Sequence, residues 1–189
     1  MNGGFGCSPL SLSTFPPSLN HVQRVAQAGV DTEGVENHHS LITVGPTGVR
    51  KTSLACALSH SAIKDGHSAP YVRVPRLLDE LSVARANGRL ARMMATLART
   101  SILRLDDLLL RPVKNDQAAD LLEVVEDRRG RSIIATSQLP VSHWHEGMGD
   151  ATIADAILDR LLQRTHRIEP TGTSRQQRDT TTGEGTEVK

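Results

Sequence analysis

Aromatic residues are nearly missing from this chain of 189 residues: two Phe, one Trp and one Tyr, or 2%. A core must therefore be built from Leu, Ile, Val and Ala, which suits a buried parallel sheet covered by helices better than an aromatic-rich β-sandwich. Cysteine is equally scarce. Cys7 and Cys56 share no metal or redox spacing, which points to a reducing compartment. No apolar run approaches the roughly 20 residues needed to span a bilayer. No charged start precedes an apolar stretch, so a secretory signal is not expected. The expected location is the cytoplasm, with no membrane partner. Charge of one sign is lacking too. The formal net charge is +1, so the chain as a whole does not advertise a nucleic acid or a membrane. Basic residues still gather in 85–104 and 128–131, as a local patch or as solvated helix faces. No internal repeat is visible.

What is present divides into three parts. Residues 1–20 are half Gly, Pro and Ser, and residues 171–189 contain a single aliphatic side chain, Val188, so both are expected to be loosely ordered. Residues 21–170 alternate strand and helix signals, the pattern of an α/β sheet. Strands are expected at 41–44, 69–74, 101–105, 132–136 and 166–169. Between them, Pro75 opens a helix with Leu77, Leu78, Leu81 and Ala84 on one face, and a short helix follows at 90–98. Asn115 is read as the cap of a helix carrying Ala118, Leu121, Leu122 and Val125, with Gly130 marking its end. Thr152 with Asp155 reads as the capping box of a helix carrying Ile153, Ile157, Leu158 and Leu161.

The most informative stretch is Gly45-Pro46-Thr47-Gly48-Val49-Arg50-Lys51-Thr52. It follows an apolar, β-branched strand and opens a helix, which is the context required by the phosphate-binding pattern G-x-x-x-x-G-K-[ST]. Backbone N–H groups at the helix start face an anion, Lys51 supplies a point charge for the outer phosphates, and Thr52 offers its hydroxyl to Mg²⁺. Two adjacent cations, Arg50 and Lys51, stand at the end of a helix where the macrodipole disfavours positive charge, a conflict that a bound anion relieves. The pattern departs at Arg50, which occupies the place of the second glycine.

A second anchor lies at Ile102-Leu103-Arg104-Leu105-Asp106-Asp107, an apolar strand ending in two carboxylates. Mg²⁺ bound to a nucleotide needs a carboxylate near its water shell, and a second acid can orient attacking water. In open α/β sheets ligands gather at the carboxyl ends of strands, where Lys51 and Asp106 both fall. Arg104 is anomalous, because a covered parallel strand should be apolar there. Alternation places it on the face of Asp106, where pairing would withdraw that carboxylate from the metal.

Together with a third segment, these anchors make the chain resemble the IstB-like ATP-binding proteins, AAA+ helpers of insertion-sequence transposition akin to the DnaC helicase loaders. The resemblance runs from about Phe15 to Arg175. It is densest in Thr136-Ser137-Gln138-Leu139-Pro140, Trp144-His145-Glu146, Gly149-Asp150 and Thr152-Ile153-Ala154-Asp155-Ala156-Ile157-Leu158-Asp159-Arg160-Leu161, and it includes Leu77-Leu78-Asp79-Glu80-Leu81 and Leu105-Asp106-Asp107-Leu108. It implies a P-loop NTPase fold of the AAA+/ASCE type. By position, it further implies that Gly45, Pro46, Thr47, Gly48, Val49, Arg50, Lys51 and Thr52 hold ATP and that Thr52 and Asp106 serve Mg²⁺. Asp107 takes the place of the water-positioning acid. Thr136, Ser137 and Gln138 occupy the place of the polar sensor of the γ-phosphate, and Arg160 resembles the arginine finger offered to a neighbouring subunit. The implied partners are the transposase of the same mobile element, double-stranded DNA, and further copies of the chain in a homo-oligomer.

Three departures weigh against an active enzyme. Arg50 replaces a glycine, so its side chain either blocks the pocket or reaches the phosphate. Arg104 replaces an apolar residue, and Leu109 replaces a glycine after the acids. The family's N-terminal helical region is also not found in the forty or so residues before the P-loop, so a truncated copy is one expectation. The competing expectation to a working ATPase is thus a degenerate, non-hydrolysing remnant that keeps the fold or a DNA- or protein-binding surface. A small-molecule kinase on the same scaffold lacks a recognisable acceptor pocket or lid arginines. His38, His39, His143 and His145 lack a converging Cys or acid pattern and are read as structural or solvent-facing. Trp144 is read as a loop anchor.

Overall fold

The computed structural model describes residues 39–169. The expected tails at 1–20 and 171–189, together with Cys7 and His38, lie outside the described residues. Five parallel strands form one sheet in the order β2-β3-β4-β1-β5, where β1 is Ser40–Val44, β2 Tyr71–Arg73, β3 Ile102–Leu108, β4 Ser132–Ser137 and β5 Thr165–Ile168. Parallel neighbours require long crossovers, and helices supply them. They are α1 (Lys51–Lys64), α2 (Val74–Ala86), α3 (Leu90–Ala98), α4 (Asn115–Glu126), the single turn α5 (Trp144–Gly147) and α6 (Ala151–Leu162).

Strand alternation sorts the core into two layers. Leu41, Ile102, Ile134 and Ile168 pack with Leu54, Ala55 and Leu58 of α1 on one face. Ile42, Val44, Leu103, Leu105 and Ala135 pack on the other face with Leu77, Leu78 and Leu81 of α2, Leu121 of α4 and Ile157 of α6. Every strand of the central three is thus covered on both sides, which is why these segments read as continuous apolar runs. Trp144 is fully buried in the larger layer, and its indole N–H donates to Leu139 O at 2.8 Å, so it anchors the loop after β4.

Several boundaries differ from the sequence reading, each for a local reason. The third strand does not stop at residue 105 but continues through both acids to Leu108. A register shift between Leu105 and Leu108 marks a β-bulge there, and Asp107 adopts φ 57° within it. The first helix begins at Lys51, so Lys51 and Thr52 already lie in its first turn. The helix expected to be capped by Asn115 has Lys114 at its N-cap, with the Lys114 N–H donating to Gln117 Oε1 at 3.4 Å. The last helix is capped not by Thr152 but by Asp150, whose Oδ1 accepts from the Ile153 N–H at 2.9 Å. Arg128, read as part of a possible basic patch, is buried instead. Its guanidinium donates to Leu97 O, Thr100 O, Thr100 Oγ1, Ser101 O and Ser132 O, tying the end of α3 to the start of β4.

Candidate functional site

The carboxyl ends of β1, β3 and β4 lie side by side. Val44 and Leu108 both register with Ser137, and the Gly45 N–H donates to Ser137 O at 3.2 Å. The loop leaving β1 turns through Gly45 (φ 155°) and Gly48 (φ 92°) and enters α1 through Arg50, whose φ of 62° and ψ of 28° are left-handed. The backbone therefore keeps at position 50 a conformation natural to glycine, and a bulkier residue has been fitted to it. Among the described residues the Arg50 side chain makes no hydrogen bond or ion pair.

Lys51 is buried, and its ammonium donates to Gly45 O at 2.6 Å and Pro46 O at 2.8 Å, folding back into its own loop. Burial pulls it below the usual lysine range, while Asp107 and Asp106 oppose that fall. Thr52, one residue on, donates its hydroxyl to Asp106 Oδ1 at 3.1 Å. That contact joins the start of α1 to the end of β3.

Asp106 is buried and is the acceptor of three hydroxyls: Thr52, Tyr71 at 3.0 Å, and Thr136 through a short bond. Two carboxylate oxygens offer about four acceptor positions, so the group is oriented without being saturated. Adjacent hydroxyl and carboxylate oxygens are the hard donor set that Mg²⁺ takes, and Thr52 with Asp106 fits that ion on this ground. Asp107 Oδ2 instead accepts from Arg73 Nη2 at 2.6 Å and Nε at 3.1 Å, while its backbone N–H donates to Thr136 Oγ1.

Arg104 lies under this cluster, on the α1 face between Ile102 and Asp106. It is 7% exposed. Its Nη1 donates to Cys56 Sγ at 3.2 Å, its Nε has no partner, and its guanidinium carbon sits 4.2 Å from the centre of the Tyr71 ring. Among the described residues it forms no ion pair with Asp106. Burial lowers its affinity for the proton, opposed by Asp106 and Tyr71.

Lys51, Thr52, Asp106, Asp107 and Thr136 are thus brought together. Ser137 is placed differently: its hydroxyl is buried and donates to Leu108 O at 2.8 Å. Gln138 reaches the loop, accepting from the Thr47 hydroxyl at 2.9 Å. Arg160 lies on α6 and pairs with Glu126 at 3.2 Å and Asp159 at 2.5 Å, with no contact to the loop among the described bonds. Tyr71 and Arg73 were missed in the sequence. The usable signal was alternation on β2, which places them on one face, in register with Arg104 and Asp106. A cleft of about 1110 Å³ opens beside Thr52, Tyr71, Arg73, Asp106 and Asp107 on the side of α2, and neither Lys51 nor residues 45–50 of the loop line it. Among the described residues, no group of three or more His, Cys, Asp or Glu forms a further metal cluster, and no helix is long and apolar enough to cross a membrane.

Comparison with known proteins gives a consistent picture. A family profile described as IstB-like ATP binding protein matches residues 17–182. A Sinorhizobium fredii protein carrying the name of an insertion sequence ATP-binding protein is 52% identical over 141 residues, which cover 74% of this chain and 58% of that protein. The IS21 insertion-sequence protein of Pseudomonas aeruginosa, named in the same way, is 33% identical over 162 residues, covering 85% of this chain and 60% of its own length. The chain therefore spans little more than half the length of these relatives. Among solved structures, DnaI superposes with a TM-score of 0.74 at 22% identity, covering 87% of this chain and 89% of that one. The DnaC helicase loader gives 0.69 at 21% identity, covering 85% and 96%. These likenesses show the fold, a P-loop NTPase of the AAA+ class.

Proposed function

This chain belongs to the IstB-like ATP-binding family, and from that premise we propose that it binds ATP with Mg²⁺ at the carboxyl edge of its sheet as a helper of insertion-sequence transposition. The observation that carries this reading is the 3.1 Å contact between Thr52 and Asp106, which joins the phosphate loop to the acid strand. An incoming triphosphate offers the Lys51 ammonium better acceptors than the Gly45 and Pro46 carbonyls it now uses, because charge-assisted bonds to phosphate are the stronger kind. The loop N–H groups and the start of α1 face the same anion. Mg²⁺, when bound, neutralises charge on the outer phosphates. Thr52 and Asp106 are the residues that would hold it, and Tyr71 and Thr136 keep the carboxylate oriented. Hydrolysis further requires Asp107 to accept a hydrogen bond from the attacking water, which forms a bond to the γ-phosphorus as the β–γ bridge breaks to give ADP and phosphate. Both Arg73 donors sit on Asp107 Oδ2, which leaves Oδ1 for that water. Arg160, from a neighbouring copy, would stabilise the charge that develops in this step. Assembly of copies on double-stranded DNA and regulation of a transposase complete the proposal.

A second reading, nucleotide binding without turnover, is favoured by one observation: Asp107 is held by both Arg73 donors on a single oxygen. The deciding experiment is a titration with a fluorescent ATP analogue, with and without Mg²⁺, alongside a phosphate-release assay. Saturable binding that Lys51→Ala weakens at least tenfold supports the proposed site. Absence of binding in both the wild type and Arg50→Gly overturns it. Binding without phosphate release selects the second reading.

A further inference from the structure

We infer that Arg104 is a resident counter-charge for Asp106 that makes nucleotide binding at this site only weakly dependent on Mg²⁺. The inference rests on the proposed ATP site and concerns how that site is tuned.

Four contacts define the device. Arg104 and Asp106 stand two residues apart on β3 and face the same helix, where Cys56 touches Arg104 and Thr52, one turn earlier, touches Asp106. Tyr71 spans the pair from the edge strand, its ring against the guanidinium at 4.2 Å and its hydroxyl on the carboxylate at 3.0 Å. Arg104 is 7% exposed and lacks a partner for Nε, and among the described residues no carboxylate forms an ion pair with it. A buried guanidinium without an ion-pair partner is costly, and the aromatic face offsets part of that cost.

The consequence follows from charge and distance. Alternate residues on a strand are roughly 6–7 Å apart. At that separation, with an effective permittivity of about 20, a full positive charge changes the binding of another ion by on the order of tenfold or more. The sign is opposite for the two ligands of the site. Arg104 partly neutralises Asp106 and repels a divalent cation, while it attracts the phosphates that Lys51 receives. Mg²⁺ therefore adds less to nucleotide affinity than it would with an apolar residue at 104.

The test compares wild type, Arg104→Ile and Arg104→Lys for affinity toward a fluorescent ATP analogue in EDTA and in saturating Mg²⁺. Arg104→Ile replaces a buried charge by an apolar side chain, so it is expected to fold, and Arg104→Lys keeps the charge. In wild type and Arg104→Lys, Mg²⁺ should raise affinity less than about threefold; in Arg104→Ile, on the order of tenfold or more. Equal Mg²⁺ enhancement in wild type and Arg104→Ile would overturn the counter-charge while leaving the ATP site intact. Failure of all three proteins to bind the analogue in either condition would remove the ATP site and this inference with it.

Discussion

Arg50 and Leu109 share a backbone conformation that L side chains rarely adopt, with φ of 62° and 57°, yet glycine at the two positions should act in opposite directions. The left-handed conformation costs a non-glycine residue roughly 1–2 kcal/mol, and glycine loses about 0.5–1 kcal/mol through its greater freedom in the unfolded chain. Arg50 makes no described side-chain bond, so Arg50→Gly should be neutral to stabilising, within about 1 kcal/mol, while opening the loop to phosphate. Leu109 is 4% exposed and packs beside Gly147. Removing a buried leucine side chain costs about 2–5 kcal/mol, which exceeds the strain released. Leu109→Gly should therefore lose about 2 kcal/mol or more. Urea unfolding of both variants checks the pair, and a comparable loss in both would refute the strain account. Tyr71 supplies a pH prediction. Burial, then the charge of Asp106 and the hydrogen bond to it, push its phenol from 10.0 up to about 12. A folded-state value raised above the unfolded one contributes stability below pH 10 that is lost as pH climbs toward 12. Tyr71 is the single tyrosine of the chain, so tyrosinate absorbance reports it alone. The native protein should titrate near 12 and the urea-unfolded protein near 10, and Asp106→Asn should lower the native value without abolishing the part due to burial.

Among the elements, Arg128 acts as a staple whose importance composition concealed. It gathers carbonyls from the last turn of α3 and the entries to β3 and β4, and its charge suits the negative end of a helix dipole. Burial, with Arg131 nearby, lowers it to about 10, so it stays charged at neutral pH. Arg128→Met leaves several buried acceptors unpaired and should cost about 3 kcal/mol or more. The loss is readable from the fluorescence of Trp144, the lone and fully buried tryptophan; a loss under about 1 kcal/mol would show that water replaces the guanidinium readily. Legibility in the sequence follows the same division between local and non-local causes. Helices α2, α3, α4 and α6 were readable because their apolar spacing is local, as in Leu77, Leu78, Leu81 and Ala84, all buried. The loop at 45–52 and the acids at the end of β3 could be located for the same reason: each is a short segment at a strand end. Arg128, Tyr71 and Arg73 were not, because their partners, Ser132 apart, lie 27 to 35 residues away and depend on sheet order and register. The bulge at Asp107 was equally hidden, since nothing in Asp-Asp distinguishes a turn from a bulged strand.

For the molecule as a whole, the placement of Arg160 sets what assembly must accomplish. In the single chain its guanidinium is held by Glu126 and Asp159, with a quarter of the side chain exposed, and it does not meet the loop that carries Lys51. A role in phosphoryl transfer therefore needs a second copy whose nucleotide lies against α6, and separation of the two functions into different subunits becomes testable. Arg160→Ala should leave folding within about 1 kcal/mol, because half-exposed ion pairs contribute little, and should keep affinity for the ATP analogue within about threefold of wild type. Turnover, if wild type shows it, should fall by a factor of about a thousand or more. Lys51→Ala should lose nucleotide binding yet retain a usable Arg160. Mixing the two inactive variants then creates junctions in which an Arg160→Ala copy holds ATP and a Lys51→Ala copy offers its arginine. Phosphate release from the mixture, absent from either variant alone, would place Arg160 across a subunit boundary. If the mixture stays inactive while wild type turns over and both variants co-assemble by sedimentation, Arg160 is an ordinary surface arginine, and the charge in the transition state must be met from within one chain.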